Sequence, residues 1–209
     1  MPTALITGVS RGLGKELARQ YAADGWEVIG TTRRDMDMND RAQISRFAKK
    51  LANKPIDLLF CNAGISGKRG MAVGSFDFDS WEEVLRVNLL GPAALAEALV
   101  ENVAASGRKT IAMMSSRLGS ISESSGMTLP YSTSKAALNM LVKGLAATLA
   151  GRGIIVVALS PGWVRTDMGG AGAPLAPEVS VRGLRNVIQK LKRSDSGKFF
   201  SHDGSEIPW

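Results

Sequence analysis

The sequence predicts an α/β protein built on a doubly wound parallel sheet, three layers deep. Two observations carry this. Short β-rich apolar runs alternate with longer helical stretches from one end of the chain to the other, the pattern of successive βαβ units. The first run leads straight into a glycine-rich turn and then an amphipathic helix, an arrangement that suits an anionic ligand at the helix N-terminus. At 209 residues, 44% of them apolar, and with no internal repeat or low-complexity linker, a single domain over 1–209 is expected.

Strands are predicted in order at Thr3–Thr7, Glu27–Thr31, Ile56–Cys61, Thr110–Ser115, Ile154–Leu159 and Phe199–Ser201, each short and bounded by turn residues. Met36 marks the place for one more, very short strand. Helices are expected at about Gly12–Asp24, Asp40–Asn53, Ser80–Ser106, Pro130–Arg152 and Pro177–Leu191, where apolar residues recur at three- and four-residue spacing. Two glycine-rich stretches, 65–78 and 163–177, break the rhythm. Both follow predicted strands, so both fall at the carboxyl edge of the sheet, where open α/β proteins bind ligands, and both are expected to act as substrate loops.

Composition excludes several classes. The net charge of +7 raises the question of an anionic partner. Basic residues are nevertheless spread along the chain, the densest cluster being Lys190-Leu191-Lys192-Arg193, and no nucleic-acid-binding signature accompanies them, so no nucleic-acid partner is expected. The single cysteine, Cys61, lies in an apolar run and reads as a buried strand residue. His202, the only histidine, reads as a surface or hydrogen-bonded one, and without a His/Cys cluster no metal is expected. Met1 to Ile6 show no basic or long apolar leader, and no apolar run reaches membrane-spanning length. The expectation is a cytoplasmic protein without membrane association.

Three groups of residues point to chemistry. In Thr7-Gly8-Val9-Ser10-Arg11-Gly12-Leu13-Gly14, glycines let the backbone turn with positive φ and bring N–H groups close to a diphosphate. The second strand ends Thr31-Thr32-Arg33-Arg34. An acid there would bind a ribose 2′-hydroxyl; instead Arg33 can make a bidentate contact to a 2′-phosphate. Tyr131 and Lys135 stand four apart in a helix-compatible run, hence on one face. There the ammonium is expected to stabilise the phenolate, draw the tyrosine pKa down and make the pair a general acid/base.

Thr7-Gly8-x-x-x-Gly12-x-Gly14, Asn62-Ala63-Gly64, Asn88, Ser116, Tyr131-x-x-x-Lys135 and Pro161-Gly162 follow one another in the order and approximate separations of the short-chain dehydrogenase/reductase family, which the chain resembles from Thr3 to about Thr166. The segments Ser160–Gly170 and Asp203–Trp209 look like the small, C-factor-like branch. The resemblance implies a Rossmann-type sheet with strand order 3-2-1-4-5-6-7. It also implies an NADP(H)-dependent enzyme, with NADP(H) preferred over NAD(H), that reduces an aldehyde, ketone or quinone to an alcohol. The implied catalytic residues are Asn88, Ser116, Tyr131 and Lys135: Tyr131 as proton donor, Ser116 polarising the carbonyl, Asn88 holding a proton relay, and Lys135 also gripping the nicotinamide ribose. The implied cofactor-binding residues are Gly8, Ser10, Arg11, Gly12, Leu13, Gly14, Arg33, Asp37, Met38, Asn62, Ala63, Gly64, Tyr131, Lys135, Pro161, Gly162, Val164 and Thr166.

The partner implied is a small carbonyl or alcohol substrate. The long helices Ser80–Ser106 and Pro130–Arg152 match the family's dimer surfaces, leaving a homodimer, a homotetramer and solvent-facing helices all open. The second reading is a low-turnover dinucleotide-binding signalling or regulatory protein of the C-factor type. One departure from the family stands out. Only Asp35 and Met36 separate the Arg33-Arg34 pair from Asp37-Met38, too few for the usual crossover helix.

Overall fold

Six parallel strands form one sheet in the order β2-β1-β3-β4-β5-β6. They are β1 (Thr3–Thr7), β2 (Glu27–Thr31), β3 (Leu58–Cys61), β4 (Thr110–Met114), β5 (Ile155–Ser160) and β6 (Phe199–Ser201). The computed structural model describes residues 1–68 and 70–209. The helices are α1 (Gly12–Ala23), α2 (Arg41–Lys50), α3 (Phe78–Leu85), α4 (Gly91–Ala104), α5 (Leu129–Leu149) and α6 (Pro177–Lys190). Alternate strand residues face opposite sides, and two cores result. Leu5, Leu59, Ile111 and Val156 pack with Ile44, Leu99 and Val142 on the side of α2, α4 and α5. Ala4, Ile6, Phe60 and Val157 pack with Leu17 and Leu184 on the side of α1 and α6. A sheet covered on both faces needs continuous apolar strands, and every residue of β1, β3 and β4 is buried.

The expected strand order fails at one edge. No strand forms near Met36, so the sheet stops at β2, and the observed order is the expected one with its third strand left out. A parallel crossover needs about a dozen residues, and the chain between β2 and Met36 is far shorter. It turns instead: the Asp35 carboxylate accepts from the Thr32 N–H (2.8 Å) and hydroxyl (2.7 Å), and the Met36 N–H donates to the Thr32 carbonyl (3.0 Å). Met36 and Met38 then bury into the core, at 2% and 6% exposure. The start of α4 comes so close that a Cβ on Gly91 would lie 2.4 Å from the Met38 carbonyl oxygen. Asp40 caps α2, its side chain accepting from the N–H groups of Ala42 and Gln43.

The single helix expected over Ser80–Ser106 is interrupted. α3 passes into a π-helical turn at Arg86–Leu90 before α4 begins. Asn88 sits inside that turn, fully buried, with its side chain bonded to backbone outside the helix. Local widening of this kind is common at functional sites.

Candidate active site

At the carboxyl edge of the sheet, a groove of about 290 Å³ runs across β1, β3, β4 and the β2 end. Its floor is the glycine turn. Gly8 and Gly12 adopt φ of +76° and +54°, and a Cβ on Gly14 would stand 2.1 Å from the Gly8 carbonyl oxygen. The turn is hung from β2 by the Gly8 and Val9 N–H groups, both donating to the Thr31 carbonyl (2.8 and 3.0 Å). It is tied to β3 through Thr7, whose hydroxyl accepts from the Asn62 and Ala63 N–H groups (3.0 and 2.9 Å), while the Asn62 amide donates to the Thr7 carbonyl (2.9 Å). No side chain caps the N-terminus of α1, so its free N–H groups and dipole face the groove, a cradle fitting a diphosphate.

Most of the expected binding residues meet here. Gly8, Ser10, Arg11, Gly12, Leu13 and Gly14 line one stretch of the groove; Arg33, Asp37 and Met38 line the next; Asn62, Ala63, Gly64, Tyr131, Lys135, Pro161 and Thr166 complete it. Four expected residues stand off the lining. Asn88 lies behind Gly64, where a Cβ would meet its Oδ1 at 3.1 Å. Gly162 backs onto the His202 ring, which a Cβ would approach to 3.1 Å. Val164 is buried and bridges to Leu175, and Ser116 sits beyond the wall, next to Tyr131.

The rim cations are held by acids. Arg33 Nε donates to Asp37 Oδ2 at 2.9 Å, and Arg11 Nη1 meets Asp167 Oδ2 at 2.6 Å. Both guanidinium groups remain more than three-quarters exposed. The second pair fastens the glycine turn to the loop after β5, where the Thr166 methyl would lie 3.5 Å from a Cβ on Gly12. Asp167 was not among the expected site residues; its signal, a carboxylate beside Thr166, is meaningful only once the loop is folded over α1.

The chemistry-bearing groups cluster where β4 meets α5. Lys135 is buried and its Nζ donates to the Met114 carbonyl at 2.8 Å, 5.5 Å from the centre of the Tyr131 ring. Asn88 Oδ1 accepts from the Ile65 N–H (2.9 Å), and its Nδ2 donates to the Ile65 carbonyl (2.9 Å) and the Ser134 hydroxyl (3.0 Å). Of the two serines after β4, Ser115 is committed inward, its Oγ bonding Asn139 Oδ1 at 2.6 Å. Ser116 is half-exposed, accepts weakly from the Leu118 N–H (3.3 Å) and lies near enough to the Tyr131 phenol to lower its pKa.

The expected direction of the tyrosine shift is reversed. Burial pushes the Tyr131 phenol up to about 12, opposed by the Ser116 hydrogen bond. Lys135 points to a backbone carbonyl rather than at the phenol oxygen, so desolvation wins over charge. The same burial brings Lys135 down to about 8, partly offset by Cys61. A phenol that stays protonated through the neutral range beside an ammonium is an acid poised to donate, not a ready base. Among the described residues no helix is long and apolar enough to cross a membrane.

A parallel sheet whose first turn has the shape to cradle a diphosphate and whose far corner brings Ser, Tyr and Lys together defines a dinucleotide-dependent oxidoreductase class. The chain belongs to the short-chain dehydrogenase/reductase family: the short chain dehydrogenase pattern matches residues 31–173. It is similar to the C-signal protein of Myxococcus xanthus, 38% identical over 164 residues that cover 78% of this chain and 98% of that protein, in keeping with the C-factor-like branch. It is also 30% identical to 1-hydroxy-2-glutathionyl-2-methyl-3-butene dehydrogenase of Rhodococcus, over the whole of both chains. Among solved structures, an NADPH-bound carbonyl reductase from chicken fatty liver superposes with a TM-score of 0.90 at 26% identity, over 100% of this chain and 99% of that one. The carbonyl reductase Sniffer of Drosophila melanogaster gives 0.88 at 28%, covering all of both chains.

Proposed function

We propose that this protein is an NADPH-dependent carbonyl reductase, a single domain over 1–209, that reduces an aldehyde, ketone or quinone to an alcohol. The observation that carries the reading is the meeting of Ser116, Tyr131 and Lys135 beside the glycine-turn groove. When bound, NADPH supplies the hydride. Ser116 donates a hydrogen bond to the substrate oxygen, polarising the carbonyl as charge develops there. Tyr131 delivers the proton, its high pKa keeping it loaded at neutral pH. Lys135 holds the ribose hydroxyls and keeps positive charge beside the phenol, and Asn88, anchored to Ile65 and Ser134, keeps a proton path to Lys135. The backbone around Pro161 and Gly162, with Val164 and Thr166, orients the carboxamide.

NADP(H) preference over NAD(H) rests on Arg33 and Arg11 at the groove and on the absence of an acid at the end of β2, supported by the NADPH-bound neighbour. The substrate enters between 65–78 and 163–177. Leu118, Ile121 and Met127, all exposed and between Ser116 and Tyr131 in sequence, together with exposed Trp163 in the loop after β5, offer apolar surface suited to an uncharged small molecule. The cytoplasm is the proposed location, with no nucleic-acid or membrane partner.

The likeness to the C-signal protein favours a second reading, a dinucleotide-binding signalling protein with little turnover. NADPH and NADH oxidation with a panel of aldehydes, ketones and quinones, alongside fluorescence titration of both cofactors, separates the two. The reductase reading expects turnover with NADPH and an NADH efficiency lower by about 10-fold or more. Tight NADPH binding with no carbonyl reduced supports the signalling reading, and equal efficiency with NADH removes the NADP preference.

A further inference from the structure

Asn139 lies two helical turns beyond Tyr131 on the face of α5 that also carries Lys135. It is 2% exposed, in a stretch of apolar neighbours where an amide is costly unless satisfied. Its two polar atoms are both used, and both reach the turn that carries Ser116. Oδ1 accepts from the Ser115 hydroxyl at 2.6 Å, and Nδ2 donates to the Gly119 carbonyl at 3.0 Å. These partners flank Ser116 in sequence, so one amide holds the residues on either side of it. Gly119 shows how close the contact is: a Cβ there would come within 2.8 Å of the Lys135 backbone carbon and Cβ. On its far side the turn is fixed by the Arg117 N–H, which donates to the buried Ser160 hydroxyl at 3.1 Å.

We propose that Asn139 is a positioning residue for carbonyl reduction: it clamps the Ser116 turn onto α5 and so sets the placement of the Ser116 hydroxyl relative to Tyr131. Among the described residues no other side chain of α5 bonds both flanks of Ser116. Residues 121–128, which follow the turn, are exposed, so the clamp lies between the serine and a surface segment. The proposal rests on the reductase reading for its kinetic consequence, but its geometric consequence is independent of turnover.

Two measurements test it. In the wild type, Asn139→Ala is expected to lower kcat roughly 10- to 100-fold, the scale of a misplacement near 1 Å, with the NADPH dissociation constant unchanged because Asn139 does not line the groove. In a Ser116→Ala background the same change should cost less than about 3-fold, since it acts only through Ser116. An equal loss in both backgrounds overturns the proposal, as does NADPH binding that weakens in step with kcat.

The second measurement needs neither cofactor nor substrate. The chain holds two tyrosines, Tyr21 and Tyr131, so ¹³C-labelled tyrosine gives two ring signals, assigned with Tyr131→Phe. Ser116→Ala, which removes the hydroxyl that lowers the Tyr131 pKa, is expected to move the Tyr131 signal. Asn139→Ala should move it in the same direction, and the gentler Ser115→Ala by less. A Tyr131 signal that Ser116→Ala shifts and Asn139→Ala leaves in place overturns the proposal even if the protein reduces no carbonyl. A wild type without turnover in which Asn139→Ala does shift that signal instead removes the reductase reading and keeps the clamp.

Discussion

The corner where β4 meets α5 and the rim formed by the turns after β1, β2 and β5 border the same groove and are held by opposite means. In the corner, Lys135, Asn88 and Asn139 are each at most 3% exposed and each bonded to backbone or hydroxyl partners. Leaving one such buried group unpaired costs about 1–3 kcal/mol. On the rim, Arg33 and Arg11 are exposed and satisfied by Asp37 and Asp167, and ion pairs of that kind contribute about 0–1 kcal/mol and weaken with salt. The proposed chemistry therefore sits among packed groups, while the proposed cofactor preference rests on exposed arginines. In the proposed NADPH complex a 2′-phosphate would displace from Arg33 the Asp37 carboxylate, whose side chain is 22% exposed.

If that contrast is right, changes in the buried part of the groove should be severe and changes on the rim mild. The largest effect is expected from Gly14→Ala. The added carbon would sit 2.1 Å from the Gly8 carbonyl oxygen and 2.5 Å from the Asn62 amide nitrogen, one of them backbone that cannot swing away. NADPH titration should show binding weakened by roughly 100-fold or more and thermal melting should show a lowered Tm. Wild-type affinity in this variant would mean the turn is looser than its contacts imply.

Next in size is the response to pH. Lys135 titrates near 8 in the folded protein, so turnover should fall as pH rises through that value and the ammonium beside Tyr131 is lost. A rate that stays flat to pH 10 would show that the charge is not used. Stability moves the other way. An unfolded lysine titrates near ~10.4, so between about 8 and that value the unfolded chain binds the extra proton, and stability rises with pH. Wild type should gain about 3 kcal/mol across this window relative to Lys135→Met, measured by urea unfolding.

The smallest effect belongs to the rim. Arg33→Ala should weaken NADPH by about 10-fold while leaving NADH within about 2-fold, and the NADPH loss should shrink as salt is raised. A parallel loss for both cofactors would make Arg33 a general wall rather than a phosphate contact.

The same contrast governs what was legible in the sequence. All six strands were readable within two residues because a sheet buried on both sides demands continuous apolar runs. The missing third strand was only half readable. Counting residues after Arg34 ruled out a helix there, but not whether Met36 would pair with β2 or sink into the core, which depends on the distance of closest approach at Gly91. The glycine turn and the Tyr131-Lys135 pair were legible as local spacing. The ion pair from Arg11 to Asp167 was not, since it joins residues 156 apart. Asn139 carried a usable signal that went unread, an amide inside an apolar helix one turn after Lys135, the same oddity that made Asn88 conspicuous. The sign of the Tyr131 shift was misjudged because spacing shows that two side chains share a face but not where the ammonium points.

The most direct test of the central claim is single-turnover reduction by preloaded NADPH in wild type and Tyr131→Phe, with NADPH affinity measured on both. The account predicts equal affinity and a hydride-transfer rate lower by about 100-fold or more in Tyr131→Phe, the loss expected for a general acid. Equal rates in the two proteins, at equal NADPH occupancy, would contradict it.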